Sequence, residues 1–111
     1  MDDRLAAERF AALAHPTRLN IFRRLMEIGP DGLAAGLLAG ELGVAPNNLS
    51  AHLNTLSQAG LIEARREGRS RIYAVRIEAT AATVGFLIDE CCQRHPDVCG
   101  AVARRPEPVG V

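Results

Sequence analysis

The sequence predicts a mainly α-helical domain carrying one β-hairpin, and three observations predict it. Apolar residues recur at three- and four-residue spacing through most of the chain. The composition is 48% hydrophobic but only 4% aromatic, so the core is built from Leu, Ala, Ile and Val, which favours packed helices. The main break in helical spacing is a pair of strand-like runs, Leu61–Arg66 and Arg71–Arg76, on either side of Glu67-Gly68-Arg69-Ser70.

In chain order, residues 3–14 form a first helix whose stripe of Leu5, Ala6, Phe10 and Leu13 is interrupted once, by Arg9. His15-Pro16 closes it, because the residue before proline avoids the helical region. A second helix runs from about Thr17 to Ile28, with Leu19, Phe22 and Met26 at helical spacing, and Ile21, Leu25 and Ile28 beside them. The turn formers Gly29-Pro30-Asp31-Gly32 make a connector. A short Ala/Leu-rich segment, Leu33–Leu42, ends at Gly43.

Pro46–Gln58 is the best-marked helix. Pro46 suits its first turn, Gly60 lies just past its end, and Leu49, Leu53 and Leu56 line one face. Two short helices joined through a glycine-containing turn are a helix-turn-helix arrangement, and a basic hairpin directly after it is a wing. The hairpin tip carries a glycine, as a short loop requires. Ile77–Arg94 returns to helical spacing with Val84, Leu87, Ile88 and Cys91, and Pro96 stops it. Residues 1–99 are therefore one winged helix-turn-helix domain, and residues 100–111, with two prolines and two glycines, are a loosely ordered tail.

The outer face of Pro46–Gln58 is unusual for a solvated helix. It carries amides and hydroxyls, Asn47, Asn48, Ser50, Asn54 and Thr55, with His52 at the margin, where a Glu/Lys mixture is ordinary. Such groups pair with base edges and phosphate oxygens in a major groove. An amphipathic helix with a merely polar outside explains the face alone equally well; the wing shifts the balance. All 13 basic residues are arginine, and five of them, Arg65, Arg66, Arg69, Arg71 and Arg76, fall within twelve positions. Arginine's planar fork suits phosphate and guanine. A charged edge hairpin that merely resists aggregation accounts for one or two arginines better than for this cluster.

Net charge is zero, which argues against indiscriminate coating of nucleic acid. There is no run of 18 apolar residues to span a bilayer and no basic, apolar start of a secretory signal, so no membrane partner and a cytoplasmic location are expected. In that compartment three cysteines are thiols with a task rather than a disulfide framework. Nucleotide loops and acid/base clusters are missing, and His15, His52 and His95 lie on different elements, so an enzyme is not expected.

Taken in order, Leu13-Ala14-His15-Pro16-Thr17-Arg18, Leu49-Ser50-Ala51-His52-Leu53, Ala59-Gly60-Leu61-Ile62, and Arg65-Arg66-Glu67-Gly68-Arg69 with Tyr73 resemble the winged-helix repressors of the ArsR/SmtB family over residues 5–95. The resemblance implies a homodimer built on the first and last helices, whose recognition helices enter successive major grooves of an inverted-repeat operator in double-stranded DNA. Apolar stripes in 3–14 and 77–94 on so small a chain support the dimer. It also implies Asn47, Asn48, Ser50, His52, Asn54 and Thr55 on the reading helix and Arg66, Arg69 and Arg71 in the wing as DNA-binding residues. One departure is Ala45, where the family often has a Ser or Thr cap; its absence costs about 1 kcal/mol of helix-end stability.

Members of this family release DNA when a metal or metalloid binds. The cysteine cluster of the helix before the recognition helix is missing here, where Ala34–Ala39 has no thiol, and residues 77–94 hold no His for the interfacial zinc site. Every cysteine instead lies in Cys91-Cys92-Gln93-Arg94-His95-Pro96-Asp97-Val98-Cys99. A lone Cys91 continuing the apolar stripe would be core; three in one peripheral segment suggest ligands. Three thiolates suit trigonal arsenic(III) or antimony(III) better than tetrahedral zinc, similar to the branch of the family with arsenite thiols at the end of the last helix. Two rivals stay open: zinc or cadmium with His95 as fourth ligand, and a redox or persulfide sensor bridging Cys99 to Cys91 or Cys92. A winged helix that binds protein and never DNA is the alternative of a different class.

Overall fold

The computed structural model describes residues 1–107. Six helices, α1 (Asp3–Leu13), α2 (Pro16–Ile28), α3 (Ala35–Leu42), α4 (Pro46–Gln58), α5 (Ile77–Phe86) and α6 (Pro96–Ala103), accompany three strands, β1 (Leu33–Ala34), β2 (Ile62–Glu67) and β3 (Ser70–Val75). The strands form an antiparallel sheet in the order β1-β3-β2, and β2 and β3 are the two arms of the wing. This is the mainly helical, winged helix-turn-helix architecture that the sequence predicts.

The core is assembled where α2, α3, α4 and the base of the sheet meet. Ile21, Leu25, Leu38, Leu49, Leu53, Leu56, Leu61 and Ile62 are almost wholly withdrawn from solvent, and Tyr73 and Val75 close the cluster from β3. Truncating one of these leucines to alanine is worth about 2–5 kcal/mol, because the lost transfer energy is compounded by a cavity.

Caps explain the helix limits. The Asp2 carboxylate accepts from Leu5 N at 2.8 Å and starts α1. His15 ends α1 and also begins α2: its Nδ1 accepts from Thr17 N at 3.1 Å, with Pro16 as the first helical residue. Ala45, as expected, gives α4 no side-chain cap, and Gly60 leaves α4 at φ +79°, a left-handed conformation that glycine adopts freely.

Several sequence expectations are corrected. Leu19 and Met26 are exposed at 44% and 37%, and α2 instead buries Ile21 and Leu25; the stripe at i, i+4 beside the predicted one faces the core. Tyr73, Ala74 and Val75 are all buried, replacing alternation, because β3 is the central strand and is covered at its end. Residues 33–42 do not begin as a helix. Leu33 and Ala34 pair with Tyr73 and Ile72, and Gly32 at φ +71° admits this pairing because a Cβ there would stand 2.6 Å from Tyr73 O.

The last predicted helix is also not uniform. Regular α-helix ends at Phe86, and Leu87–Cys91 is a π turn whose closing bond runs from Cys92 N to Leu87 O at 2.8 Å. Gln93 and Arg94, at φ +53° and +51°, then turn the chain into α6, which Pro96 opens and His95 caps. Helix α6 carries Gly100 to Ala103, so helix extends into the stretch assigned by composition to a loose tail; residues 108–111 of that stretch lie outside the described residues.

Candidate nucleic-acid interface and thiol segment

The three leucines of α4 fix which of its faces looks outward. With Leu49, Leu53 and Leu56 at 0–1% exposure, Asn47, Asn48, Ser50 and Asn54 stand in solvent, and Thr55 and His52 are half-buried at the flank. Ser50 Oγ donates to Pro46 O at 3.0 Å and Thr55 Oγ1 to Ala51 O at 3.1 Å, so each hydroxyl keeps lone pairs free. Asn47, Asn48 and Asn54 have no intramolecular side-chain partner among the described residues.

His52 is tied inward more firmly than its place on the exposed flank suggests. Arg18 Nη1 lies 3.3 Å from its Nδ1, and because a guanidinium only donates, Nδ1 is the acceptor and the neutral ring carries its proton on Nε2. His15 packs against it with ring centroids 4.6 Å apart. Partial burial, then the positive fields of His15 and Arg18, hold the His52 pKa below the ordinary 6.5. Arg18 also donates from Nε to Ala12 O at 2.5 Å, so it fastens the end of α1 to the middle of α4.

The wing supplies the cations. Arg66, Arg69 and Arg71 are exposed, and no carboxylate lies within ion-pair distance of them among the described residues. Arg65 differs: it binds Glu67 at 3.1 Å and the carbonyl of Asp31 at 2.5 Å, which anchors the wing to the connector after α2. A groove of about 500 Å³ joins the two parts, lined by Ser50, Asn54 and Ser57 of α4 and Ala64, Arg71 and Tyr73 of the wing, with Ala35 at its edge. Ser57 Oγ is buried and unpartnered among the described residues. Ser57, Tyr73 and Arg18 thus belong to this surface although sequence reading did not place them there; the i, i+4, i+7 spacing of Ser50, Asn54 and Ser57 was the available signal.

The thiols are arranged differently. Cys91 is exposed at the end of the π turn, Cys92 is half-buried at its cap and Cys99 is half-buried on α6; none is in a disulfide. Among the described residues no three His, Cys, Asp or Glu side chains are grouped closely enough to hold a metal ion. The donor chemistry fits a soft trivalent ion, but the spacing at rest does not. His95 Nδ1 accepts from Asp97 N at 3.1 Å as the α6 cap, so that nitrogen is already engaged. Arg94 bonds to Asp89 at 2.7 Å, and its pKa is raised first by that bond and also by the nearby Cys99 sulfur.

No helix among the described residues is long and apolar enough to cross a membrane. Residues 13–65, which contain the α2–α4 core and the first wing strand, match the model of a helix-turn-helix domain. An uncharacterized HTH-type transcriptional regulator of Mycobacterium tuberculosis is 40% identical over 72 residues, which is 65% of this chain and 61% of the relative, so the match spans about three fifths of that protein. An uncharacterized HTH-type transcriptional regulator of Methanocaldococcus jannaschii is 35% identical over 85 residues, 77% of this chain and 92% of the relative. Among solved structures, a winged helix-turn-helix domain from Mycobacterium bovis, described as homodimeric, DNA-binding and from a possible ArsR-family regulator, superposes with a TM-score of 0.64 at 30% identity, covering 86% of this chain and 94% of that one. The polar recognition face, the arginine wing and these matches agree: the chain belongs to the ArsR family of winged helix-turn-helix transcriptional regulators.

Proposed function

We propose that the protein is a homodimeric transcriptional repressor that binds an inverted-repeat operator in double-stranded DNA and is released when arsenic(III) or antimony(III) binds Cys91, Cys92 and Cys99. The observation that carries the DNA half of this reading is the groove that places Ser50 and Asn54 of α4 beside Arg71 of the wing. Base-reading amides and a phosphate-binding cation there face one space. A dimer is supported by Ile77, Val84 and Leu87, which are 43–53% exposed along α5 and its π turn. Two such modules related by a two-fold axis read half-sites about one helical turn, ~34–36 Å, apart. The protein would act in the cytoplasm, by occluding a promoter.

The effector half rests on donor chemistry. Three free thiols fall within one nine-residue segment that contains a π turn and two left-handed residues, a segment wound less regularly than the helix before it. A trivalent thiophilic ion supplies three strong bonds to sulfur, and these thiols must be drawn together from their resting places to hold it. The ungrouped resting arrangement favours one second reading, oxidation of two thiols to a disulfide across the same segment.

A titration separates these readings. Reduced protein bound to a duplex of its own promoter is challenged with arsenite, antimonite, zinc, cadmium and peroxide. Release by arsenite and antimonite at stoichiometric concentration is the expected result. Release by peroxide alone assigns the thiols to redox sensing, and failure to bind any promoter duplex returns the fold to protein recognition.

A further inference from the structure

Arg9 interrupts the apolar stripe of α1, yet it is only 8% exposed. No carboxylate is within ion-pair distance of it among the described residues. A guanidinium does not shed its charge, so its burial is costly unless its donors are satisfied. They are satisfied by two other helices. Nε donates to Ala59 O, at the C-terminal cap of α4, at 2.9 Å. Nη1 reaches Thr83 Oγ1 at 3.3 Å and Ala79 O at 3.4 Å, both on α5. Thr83, 3% exposed, donates in turn to Ala79 O at 2.7 Å.

We propose that Arg9 is a positioning residue that ties the end of the recognition helix to α5, so that a change in α5 reaches the DNA-reading surface through it. This rests on the DNA-binding reading above. Ala59 O lies at the negative end of the α4 dipole, where a cation is favoured. Gly60 makes room for it, since a Cβ there would stand 3.1 Å from Arg9 Nη2. Arg76, the residue that opens α5, adds a weaker link to the same end of α4 through Gly60 O at 3.4 Å. A well-packed apolar side chain at position 9 would fill the space without burying a charge; only a fork spans α4 and α5 together. Beyond Thr83, α5 leads within two turns to the π turn and Cys91, so any rearrangement of the thiol segment acts on the helix that Arg9 grips.

The test uses wild type, Arg9→Lys, which keeps the charge on a single point donor that cannot span both helices, and Thr83→Val, which keeps the shape but removes the α5 hydroxyl. In the free protein, amide exchange of residues 57–61 and 79–84 is expected to accelerate about 10-fold or more in Arg9→Lys, the loss of one charged hydrogen bond, while the wing amides of 64–72 hold their rates. Unchanged exchange in both stretches overturns the clasp. The second measurement is the alkylation rate of Cys91 and Cys92 by iodoacetamide, with and without a duplex selected by the protein from a random-sequence pool. Coupling is reciprocal, so DNA is expected to change the wild-type rate about 5-fold or more and to leave both variants, saturated with DNA, nearly unaffected. Equal responses in all three proteins, or none in the wild type, overturn the transmission role. If no duplex is selected, the DNA-binding reading fails and the exchange measurement alone decides the clasp.

Discussion

Arg66 and Arg71 are Cα partners across the wing, so two like charges stand directly opposite each other on neighbouring strands. Such a pair opposes hairpin formation, whereas an opposite-charge pair supports it. Arg71→Glu is therefore expected to stabilise the free protein by about 0.2–1 kcal/mol and at the same time to abolish operator binding. Thermal unfolding and fluorescence anisotropy read the two signs, and a variant that gains stability while keeping DNA affinity would remove the wing from the interface.

Neutralising the wing tests its mode of contact. Arg66→Gln, Arg69→Gln and Arg71→Gln should each weaken binding to all duplexes alike and lower the salt slope by about one, because phosphate contacts carry charge without sequence. The dependence of log affinity on log salt is the measurement, and an effect confined to one operator base contradicts the assignment.

Asn54 is expected to behave in the opposite way. Asn54→Ala should cost about 1–3 kcal/mol on the specific operator with little change on unrelated DNA, as loss of a base-reading amide does. Competition binding against single-base operator variants locates the base concerned.

Acid should destabilise the fold through His52. Its folded pKa lies below 6.5, so the unfolded chain binds the proton more readily, and stability rises with pH through the window below 6.5 and is lost as pH falls through it. The same acidification should loosen the Arg18–His52 contact, since a protonated ring no longer accepts at Nδ1. His52→Gln is expected to flatten melting temperature between pH 5 and pH 7 relative to wild type; parallel profiles would assign the acid sensitivity elsewhere.

For the thiols, replacing Cys91, Cys92 and Cys99 together by serine should leave folding and DNA affinity intact and abolish arsenite release. Cys91 and Cys92 are expected to matter most, with Cys99 contributing affinity. Arsenite that frees DNA from the triple-serine protein as readily as from wild type would place the sensor outside this segment.

How much of this was legible depended on whether the determining contacts are local. Helix α4 was read to the residue, because Pro46, the leucine spacing and Gly60 all lie within it. Strand β1 was not, since two residues are too few for a pattern and their partners, Tyr73 and Ile72, are about forty positions away. Proline also misled by half: His15-Pro16 and His95-Pro96 read as stops, yet each also starts a helix, because histidine Nδ1 caps the first turn as an Asp would. On the site, the amide face and the arginine cluster were visible as composition. Burial of Arg9 was not, for a charge inside a stripe reads as an interruption until its acceptors on two distant helices are seen.

The π turn at Leu87–Cys91 has a consequence for chain length. A loop closed from residue i to i+5 contains one residue more than the α-helical loop, so the segment holds a surplus of one. Deleting one residue from 87–91 would let the helix run on as regular α-helix with α1 to α5 undisturbed. Everything after the deletion would turn by about 100° around the helix axis, giving Cys91, Cys92 and all of α6 a new heading while the DNA-reading half kept its own. One codon in this stretch therefore sets where the thiols point, and lineages that gained or lost it would share a recognition surface but differ in what they sense.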